Sequence, residues 1–400
     1  MAAADPASNR YAAAIRALDA AGACLTLVDG DLRIAVGAEP PRAELILKSA
    51  EGRAAMESVD HLRLAEAHLA GDIDVEGDLV EVLKVATHLR LDATRRERLW
   101  LAARLLFRDR VRYDRDSIAF HYDRPPEFFL PWLGRWRCYS HGLYAGPDDD
   151  LDAAMARKMQ RAVDLLGLEP GMRVLDMGGG WGCFVEYAGR LGIEVHAITI
   201  SEQQHRFVED LIREQALPCR VELVNFREYE PARPFDAAVF MGTFEHNPEY
   251  ARAAAFLSRH LTPGGRVWAD FCAQRSDFTF GGFMKKYVWP GPIRYVNPYG
   301  LVEALIREDF NIHELRDDTL NYAWTIRDWG DRFEANRKAL AEAFGEPTVR
   351  AFLLFLRGSW QWLRENQTQA YHLVAGLSPA RPGGIHSPAG AGAGGPASGS

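Results

Sequence analysis

Residues 173–184 read Arg-Val-Leu-Asp-Met-Gly-Gly-Gly-Trp-Gly-Cys-Phe: a short apolar strand ending on Asp176, a run of glycines, then the start of an amphipathic helix near Phe184. Glycines adopt positive φ and let backbone approach a ligand closely. A helix start offers unpaired N–H groups at the positive end of its dipole. A loop of this kind after a first parallel strand reads as a nucleotide-type cofactor site, although Gly178-Gly-Gly-Trp-Gly182 departs from the G-x-G-x-x-G spacing. The same strand–turn–helix also occurs with no ligand, so the loop alone leaves both readings open.

The surrounding pattern fits the loop. From residue 151 strands and helices alternate, the mark of an α/β fold with a parallel sheet. The predicted strands are 173–177, 194–200, 221–225, 237–241 and 266–271, with helices at 183–191, 201–215 and 250–260 between them. Beyond 273 come an irregular aromatic insert, a helix near 298–308 and a strand near 311–316. Two long helical segments, about 327–345 and 347–375, are expected to close the fold. Upstream, a helix at 8–22, strands at 24–28, 32–36 and 44–48, and helical runs at 59–69 and 79–89 make a small α+β unit without a catalytic motif of its own. The reading therefore divides the chain at 1–115, 116–377 and a Gly/Ala/Pro/Ser tail, 378–400, expected to be disordered.

Four hundred residues suit such a two-part organisation. No run approaches eighteen uncharged apolar residues, and the N-terminus lacks the basic-then-apolar order of a signal peptide. The five cysteines (24, 138, 183, 219 and 272) form no C-x-x-C, so neither a disulfide framework nor a metal site is expected, and the reading is a reduced, cytoplasmic protein. A formal net charge of −8 argues against general nucleic-acid binding. Against that acidic background, residues 86–115 concentrate nine arginines, from Arg90 to Arg115, with Leu99, Trp100, Leu105 and Phe107 interleaved. A surface helix touching anionic headgroups and an interdomain helix with solvated arginines both fit this stretch.

The ordered motifs together are more specific. The chain resembles the cyclopropane-fatty-acid synthase family, including the mycolic acid cyclopropane synthases. Leu64-Ala-Glu-Ala-His-Leu-Ala-Gly-Asp-Ile-Asp74 is similar to an element of that family's first domain, without its tryptophans. His121-Tyr-Asp123, Tyr139-Ser140, Val174–Gly182 (with Gly179 where the family has Cys) and Ile198–Gln204 follow, then Phe244-Glu-His246, Lys286–Pro290 and Asn321-Tyr322 (where the family has Asp-Tyr), all in the family's order. The resemblance implies a class I methyltransferase domain, Rossmann-like and doubly wound, preceded by a small lipid-contacting α+β domain. It also implies S-adenosylmethionine as cofactor. The ammonium of the methionine moiety falls to Asp176, close backbone approach to Gly178, Gly180 and Gly182, and the methionine carboxylate to Tyr139 and Ser140. Ribose and adenosine fall to Thr199 and Gln204, and the adenine wall to Phe226 and Arg227. Ser201 with Gln204 also makes a plain helix cap. Trp181 and Tyr122 can face the sulfonium cation, a role that simple core packing of Trp181 rivals.

In the family the sulfonium methyl adds to a cis alkene in an acyl chain, and bicarbonate removes a proton as the ring closes. This chain retains Glu245 and Tyr322 of the bicarbonate site. It carries His141, Asp270 and Cys272 where the family has Cys, His and Ile. A carboxylate at Asp270 would repel an anionic base, which makes bicarbonate a doubtful cofactor. A His–Asp pair can itself be a base, so His141 oriented by Asp270 or Glu245 is expected to take the proton. The alternative is a site that has lost ring closure, or a His141 that merely hydrogen-bonds in a polar core.

The resulting expectation is a C-methyltransferase acting on unsaturated acyl chains of phospholipids, with a cyclopropane or a methyl- or methylene-branched product. It would lie at the inner face of the membrane in peripheral contact with anionic lipid, and a homodimer is allowed. The competing reading is methylation of a soluble small molecule in a natural-product pathway. A cofactor-binding module without catalysis is a third.

Overall fold

The computed structural model describes residues 10–88, 124–246, 249–273, 282–288 and 295–379. The arginine-rich stretch from 89 onward, His121-Tyr-Asp123 and the tail from 380 lie outside the described residues.

The N-terminal part contains helix α1 (Ala12–Ala20), strands β1 (Leu25–Asp29), β2 (Leu32–Val36) and β3 (Ala43–Leu47), and helices α2 (Ala50–Ser58) and α3 (His61–Ala70). Strand β4 (Ile73–Gly77) and helix α4 (Leu79–His88) complete it. Asp29-Gly30-Asp31 turns the β1–β2 hairpin with Gly30 at φ 59°, a conformation glycine adopts without steric cost. Side chains fix two helix starts: Ser49 Oγ accepts from the Gly52 N–H, and Asp60 Oδ1 from those of Leu62 and Arg63. The four strands pair in the order β2–β1–β3–β4, over a core that includes Leu18, Leu27, Leu45 and Met56. β4 was not expected. Of its five residues only Ile73 is buried, so the segment lacks the alternation that marks a strand, and pairing with β3 decides its conformation.

Beyond the gap come helices α5 (Pro126–Leu133) and α6 (Leu151–Leu166), then β5 (Arg173–Met177), α7 (Cys183–Arg190), β6 (Glu194–Thr199) and α8 (Glu202–Glu214). β7 (Arg220–Leu223), β8 (Phe235–Met241), α9 (Tyr250–His260) and β9 (Leu261–Ala273) follow. The chain closes with α10 (Pro298–Arg307), β10 (Phe310–Asp317), α11 (Thr319–Ala335), α12 (Arg337–Phe344), α13 (Glu346–Arg364) and β11 (Gln369–Leu377). Seven strands form one sheet in the order β10–β11–β9–β8–β5–β6–β7. β5 pairs in parallel with both β6 and β8, so the strand order reverses there, and the loops after β5 and β8 part at the carboxyl edge where such sheets bind ligands.

One expectation about the closing elements fails. The segment read as helix to residue 375 leaves the helix after Arg364, passes Asn366 at φ 55° and returns as β11, antiparallel between β9 and β10. β11 is buried along nearly its whole length. A strand buried on both faces shows no period of two, and its apolar run cannot be told from a buried helix by periodicity.

The N-terminal unit rests on α13. Arg350 pairs with Asp74 at 3.3 Å and donates to the His68 carbonyl at 2.9 Å. Lys286, in a short π turn at Met284–Val288, pairs with Glu66 at 2.6 Å.

Candidate active site

The loop after β5 is tied to β6: the Gly178 and Gly179 N–H groups both donate to the Ile198 carbonyl, at 3.0 and 3.1 Å. Gly178 has φ 84°, and a Cβ there would lie 2.9 Å from Thr243 Oγ1, itself hydrogen-bonded to the Met177 carbonyl. Gly182 takes φ 76° and starts α7. Glycine is therefore required by the backbone, and the loop walls a cavity of about 140 Å³ at the carboxyl edge of the sheet. Tyr139, Asp176, Gly178, Gly180, Trp181, Thr199, Gln204 and Phe226 all line it.

Ser140, Gly182 and Arg227 are placed elsewhere. Ser140 is buried, and its Oγ accepts from Lys158 Nζ at 2.6 Å, so the hydroxyl serves an internal network and not the cavity wall. Gly182 is spent on the helix start. Arg227 ion-pairs with Glu249, next to α9, and its backbone N–H is held by Asn225 Oδ1. Asn225 itself lines the cavity. Thr199 Oγ1 donates to Gln204 Oε1 at 2.8 Å, while Ser201 Oγ accepts from the Gln204 N–H, so capping and cavity lining coexist. Trp181 likewise does two things: its ring packs against Phe129 and Phe207, and one surface reaches the cavity. Tyr122 lies outside the described residues.

Asp176 is buried, and burial, with Cys138 next, pushes its carboxyl up to about 7. An acid so placed favours a cationic ligand group that would restore its ionised form. Behind it lies an interior cluster that sequence reading missed. Lys158, on α6, is fully buried and contacts Cys138 Sγ at 3.1 Å, Ser140 Oγ and Asp270 Oδ2 at 3.3 Å. Burial acts to lower the Lys158 pKa, but Asp270 and Cys138 outweigh it and hold the ammonium charged. Cys138 and Cys183 stand with their sulfurs 3.2 Å apart, both at the cavity wall. Only the amphipathic pattern of α6 hinted at a buried face there, and nothing in it marked a lysine as inward.

The second group of residues gathers around the ends of β8, β9 and α11. Glu245 sits in a single 3₁₀ turn, Phe244–His246. Its Oε1 accepts from the Cys272 N–H at 2.7 Å, while its solvent-shielded Oε2 has no hydrogen-bond partner among the described residues. Burial pushes this carboxyl up to about 7. Burial, then Cys272 and Glu245, also drive the Tyr322 phenol well above its ordinary range. The His141 ring lies 5.3 Å from that of Tyr322, centroid to centroid.

The expected orientation of His141 is corrected here. His141 Nε2 meets Asp318 Oδ2 at 3.2 Å, at the start of α11, and contacts neither Asp270 nor Glu245 through a hydrogen bond. Asp270 is turned to Lys158 and the Trp268 indole N–H, so its charge is balanced inside the core. The Asp270 position on β9 faces α6, whereas α11 is the element that reaches His141. Residue spacing could not distinguish these neighbours.

Comparison with known proteins decides the family. Residues 109–373 match the family description "Mycolic acid cyclopropane synthetase". The chain belongs to the mycolic acid cyclopropane synthetase family. A probable fatty acid methyltransferase of Mycobacterium tuberculosis is 29% identical over 394 residues, covering 86% of this chain and 87% of that protein. The cyclopropane-fatty-acyl-phospholipid synthase of Escherichia coli K12 is 28% identical over 264 residues, 64% of this chain and 66% of its own. The solved cyclopropane synthase MmaA2 of M. tuberculosis superposes with a TM-score of 0.62 at 22% identity, over 66% of this chain and 98% of that one, which carries the class I methyltransferase fold. This synthetase-family member is accordingly an S-adenosylmethionine-dependent methyltransferase, and the glycine loop, buried acid and Thr199–Gln204 pair fit that cofactor.

The synthetase-family chain also contains an apolar cavity of about 190 Å³ between the N-terminal unit and α13. Leu18, Met56 and Leu64 line one side, and Leu354, Phe355 and Trp362 the other. Tyr295 lines it too, and the N–H of the adjoining Val296 donates to the Cys272 carbonyl at 2.8 Å, on the same residue whose N–H holds Glu245. The cavity therefore approaches the Glu245–Tyr322 group. The described part of the aromatic insert contributes Phe283 and Met284; Phe278, Phe280 and Trp289 lie outside the described residues.

Proposed function

We propose that this methyltransferase adds a methyl carbon to the double bond of unsaturated acyl chains in phospholipids, giving a cyclopropane or a methyl- or methylene-branched chain. The observation that carries the reading is the apolar cavity whose wall residue Tyr295 adjoins Val296, hydrogen-bonded to Cys272 beside Glu245, because a hydrocarbon chain needs a long non-polar enclosure beside the reacting carbon. A small soluble substrate would leave that enclosure without a task.

Bound S-adenosylmethionine supplies an electrophilic methyl. Asp176 holds the ammonium of the methionine moiety, Tyr139 approaches its carboxylate end, and the Gly178 and Gly180 backbone admits the chain closely. Thr199 and Gln204 take the ribose side, and Phe226 forms the adenine wall. Across the site, Glu245, in an apolar surrounding, stabilises positive charge developing on the alkene carbons. Tyr322 bounds the same centre. His141 accepts the proton lost from the new methyl, so bicarbonate is not required. Asp270 acts at a distance, by neutralising Lys158 beneath the cofactor cavity. The N-terminal unit, residues 1–115, and the arginine-rich stretch bring the enzyme to anionic lipid at the inner membrane face, while residues 116–377 carry catalysis.

The test uses the purified full chain, methyl-labelled S-adenosylmethionine, and vesicles of monounsaturated or fully saturated phospholipid. Label is expected in the unsaturated lipid alone. Absence of label from both lipids overturns the reading.

A further inference from the structure

His141 belongs to a buried chain of polar groups that spans four elements. Its Nε2 faces Asp318 Oδ2 at 3.2 Å, and its Nδ1 is buried without a hydrogen-bond partner among the described residues. The same Oδ2 of Asp318 is hydrogen-bonded by Nδ1 of His372, on β11. His372 Nε2 in turn meets Glu314 Oε1 at 3.2 Å, on β10, where Arg161 of α6 pairs with Glu314 at 2.7 Å. His141, Asp318 and His372 are all essentially inaccessible to solvent. The His372 ring is stacked on Trp268 at 4.5 Å, which fixes its plane. Asp318 Oδ1 is separately held by Asn321 Nδ2 at 3.1 Å, with Arg316 at 3.7 Å.

This arrangement determines where the protons are. Burial alone would raise the Asp318 carboxyl, but hydrogen bonds from His141 and His372 outweigh burial and hold it well below the usual range. An ionised carboxylate only accepts hydrogen bonds. A neutral His141 therefore carries its proton on Nε2 and leaves Nδ1 bare, an acceptor with no hydrogen-bond partner among the described residues. A buried bare nitrogen of this kind, in ring contact with Tyr322 and within the field of Glu245, is a base awaiting a proton.

We propose that Asp318, held in place by His372, is the positioning carboxylate of the deprotonation step: it fixes the His141 tautomer that presents bare Nδ1 and stabilises the imidazolium that forms. This rests on the function proposed above and extends it. In the step, a C–H bond of the transferred methyl breaks, its electron pair forms the new C–C bond of the ring, and the proton passes to His141 Nδ1. The positive charge thereby leaves the substrate carbon for an imidazolium facing Asp318, and no external base is consumed. Among the described residues, the charged or titratable groups near His141 are Asp318 and Tyr322 from α11, Glu245 from the 3₁₀ turn and His372 from β11. Arg316 and Glu314 from β10, and the Lys158–Asp270 pair from α6 and β9, surround them.

Two variants test it, through opposite shifts that general damage would not produce. Turnover of unsaturated phospholipid is measured against pH in bicarbonate-stripped buffer, with S-adenosylmethionine affinity measured alongside. Activity is lost on the acid side as Nδ1 protonates. Removing the carboxylate in Asp318→Asn destabilises the imidazolium, so kcat falls on the order of 10²-fold and the acid limb moves to lower pH. His372→Phe keeps a ring on Trp268 but removes a donor from Asp318, whose charge then bears more on His141, so the limb moves to higher pH. Cofactor affinity is unchanged in both. If Asp318→Asn does not fold, the His372→Phe shift alone carries the test. Unmoved limbs, or wild-type turnover that needs added bicarbonate, overturn the proposal while leaving methyl transfer to acyl chains standing. A wild-type enzyme that labels no lipid overturns both.

Discussion

Asp176 is where residue-level electrostatics most directly touches binding. Its carboxyl lies near 7 in the free protein because it is buried, whereas a bound ammonium favours the ionised form. Binding below that value must release a proton, so affinity for S-adenosylmethionine should weaken by up to about tenfold per pH unit below about 7, and level off above it. Titration calorimetry at several pH values in two buffers of different ionisation heat reads both the trend and the proton release. Asp176→Asn should bind more weakly and lose the slope; an unchanged slope contradicts the assignment. The Lys158–Asp270 pair belongs to stability instead. Lys158→Met leaves Asp270 buried and uncompensated and should cost about 3–5 kcal/mol, measured by denaturant unfolding. At this scale the sequence revealed the acid, the glycines and Glu245 through motif order. It concealed Lys158, Asp318 and His372, whose neighbours are distant in the chain and whose residue types are ordinary surface residues.

Among the elements, the β5–α7 loop and β11 show the two extremes of legibility. The loop was readable because glycine at positive φ has few substitutes: a Cβ on Gly178 meets Thr243 at 2.9 Å and must also adopt φ 84°. Gly178→Ala should lower cofactor affinity at least tenfold with a smaller change in Tm, read by calorimetry and thermal melting. β11 was not readable as a strand, because burial on both faces removes the alternating pattern on which strand recognition depends. That misreading had a consequence for the site. His372 lies on β11 opposite Asp270 in register, so a helical reading of residues 347–375 could not bring it to Asp318.

For the whole molecule, the sheet and its carboxyl-edge site followed from the strand–helix alternation, and the cavity between the N-terminal unit and α13 did not. That cavity is made by strands and helices of the N-terminal unit and by α13, separated by roughly three hundred residues, and the helices among them read as ordinary amphipathic ones. Gly358 of α13 lines it, and a Cβ there would meet open space. Gly358→Phe should therefore fill the cavity without disturbing the fold, raising KM for unsaturated phospholipid about tenfold while S-adenosylmethionine affinity stays the same. An unaffected KM would detach the cavity from the substrate. Vesicle binding through the arginine-rich stretch should weaken as ionic strength rises from about 0.01 M to 0.15 M, read by flotation. The most direct test of the central claim is mass spectrometry of total phospholipids from a host rich in monounsaturated acyl chains, expressing either this chain or its Glu245→Gln variant. The account predicts acyl chains heavier by one methylene with the first and none with the second; unaltered acyl chains in both would contradict it.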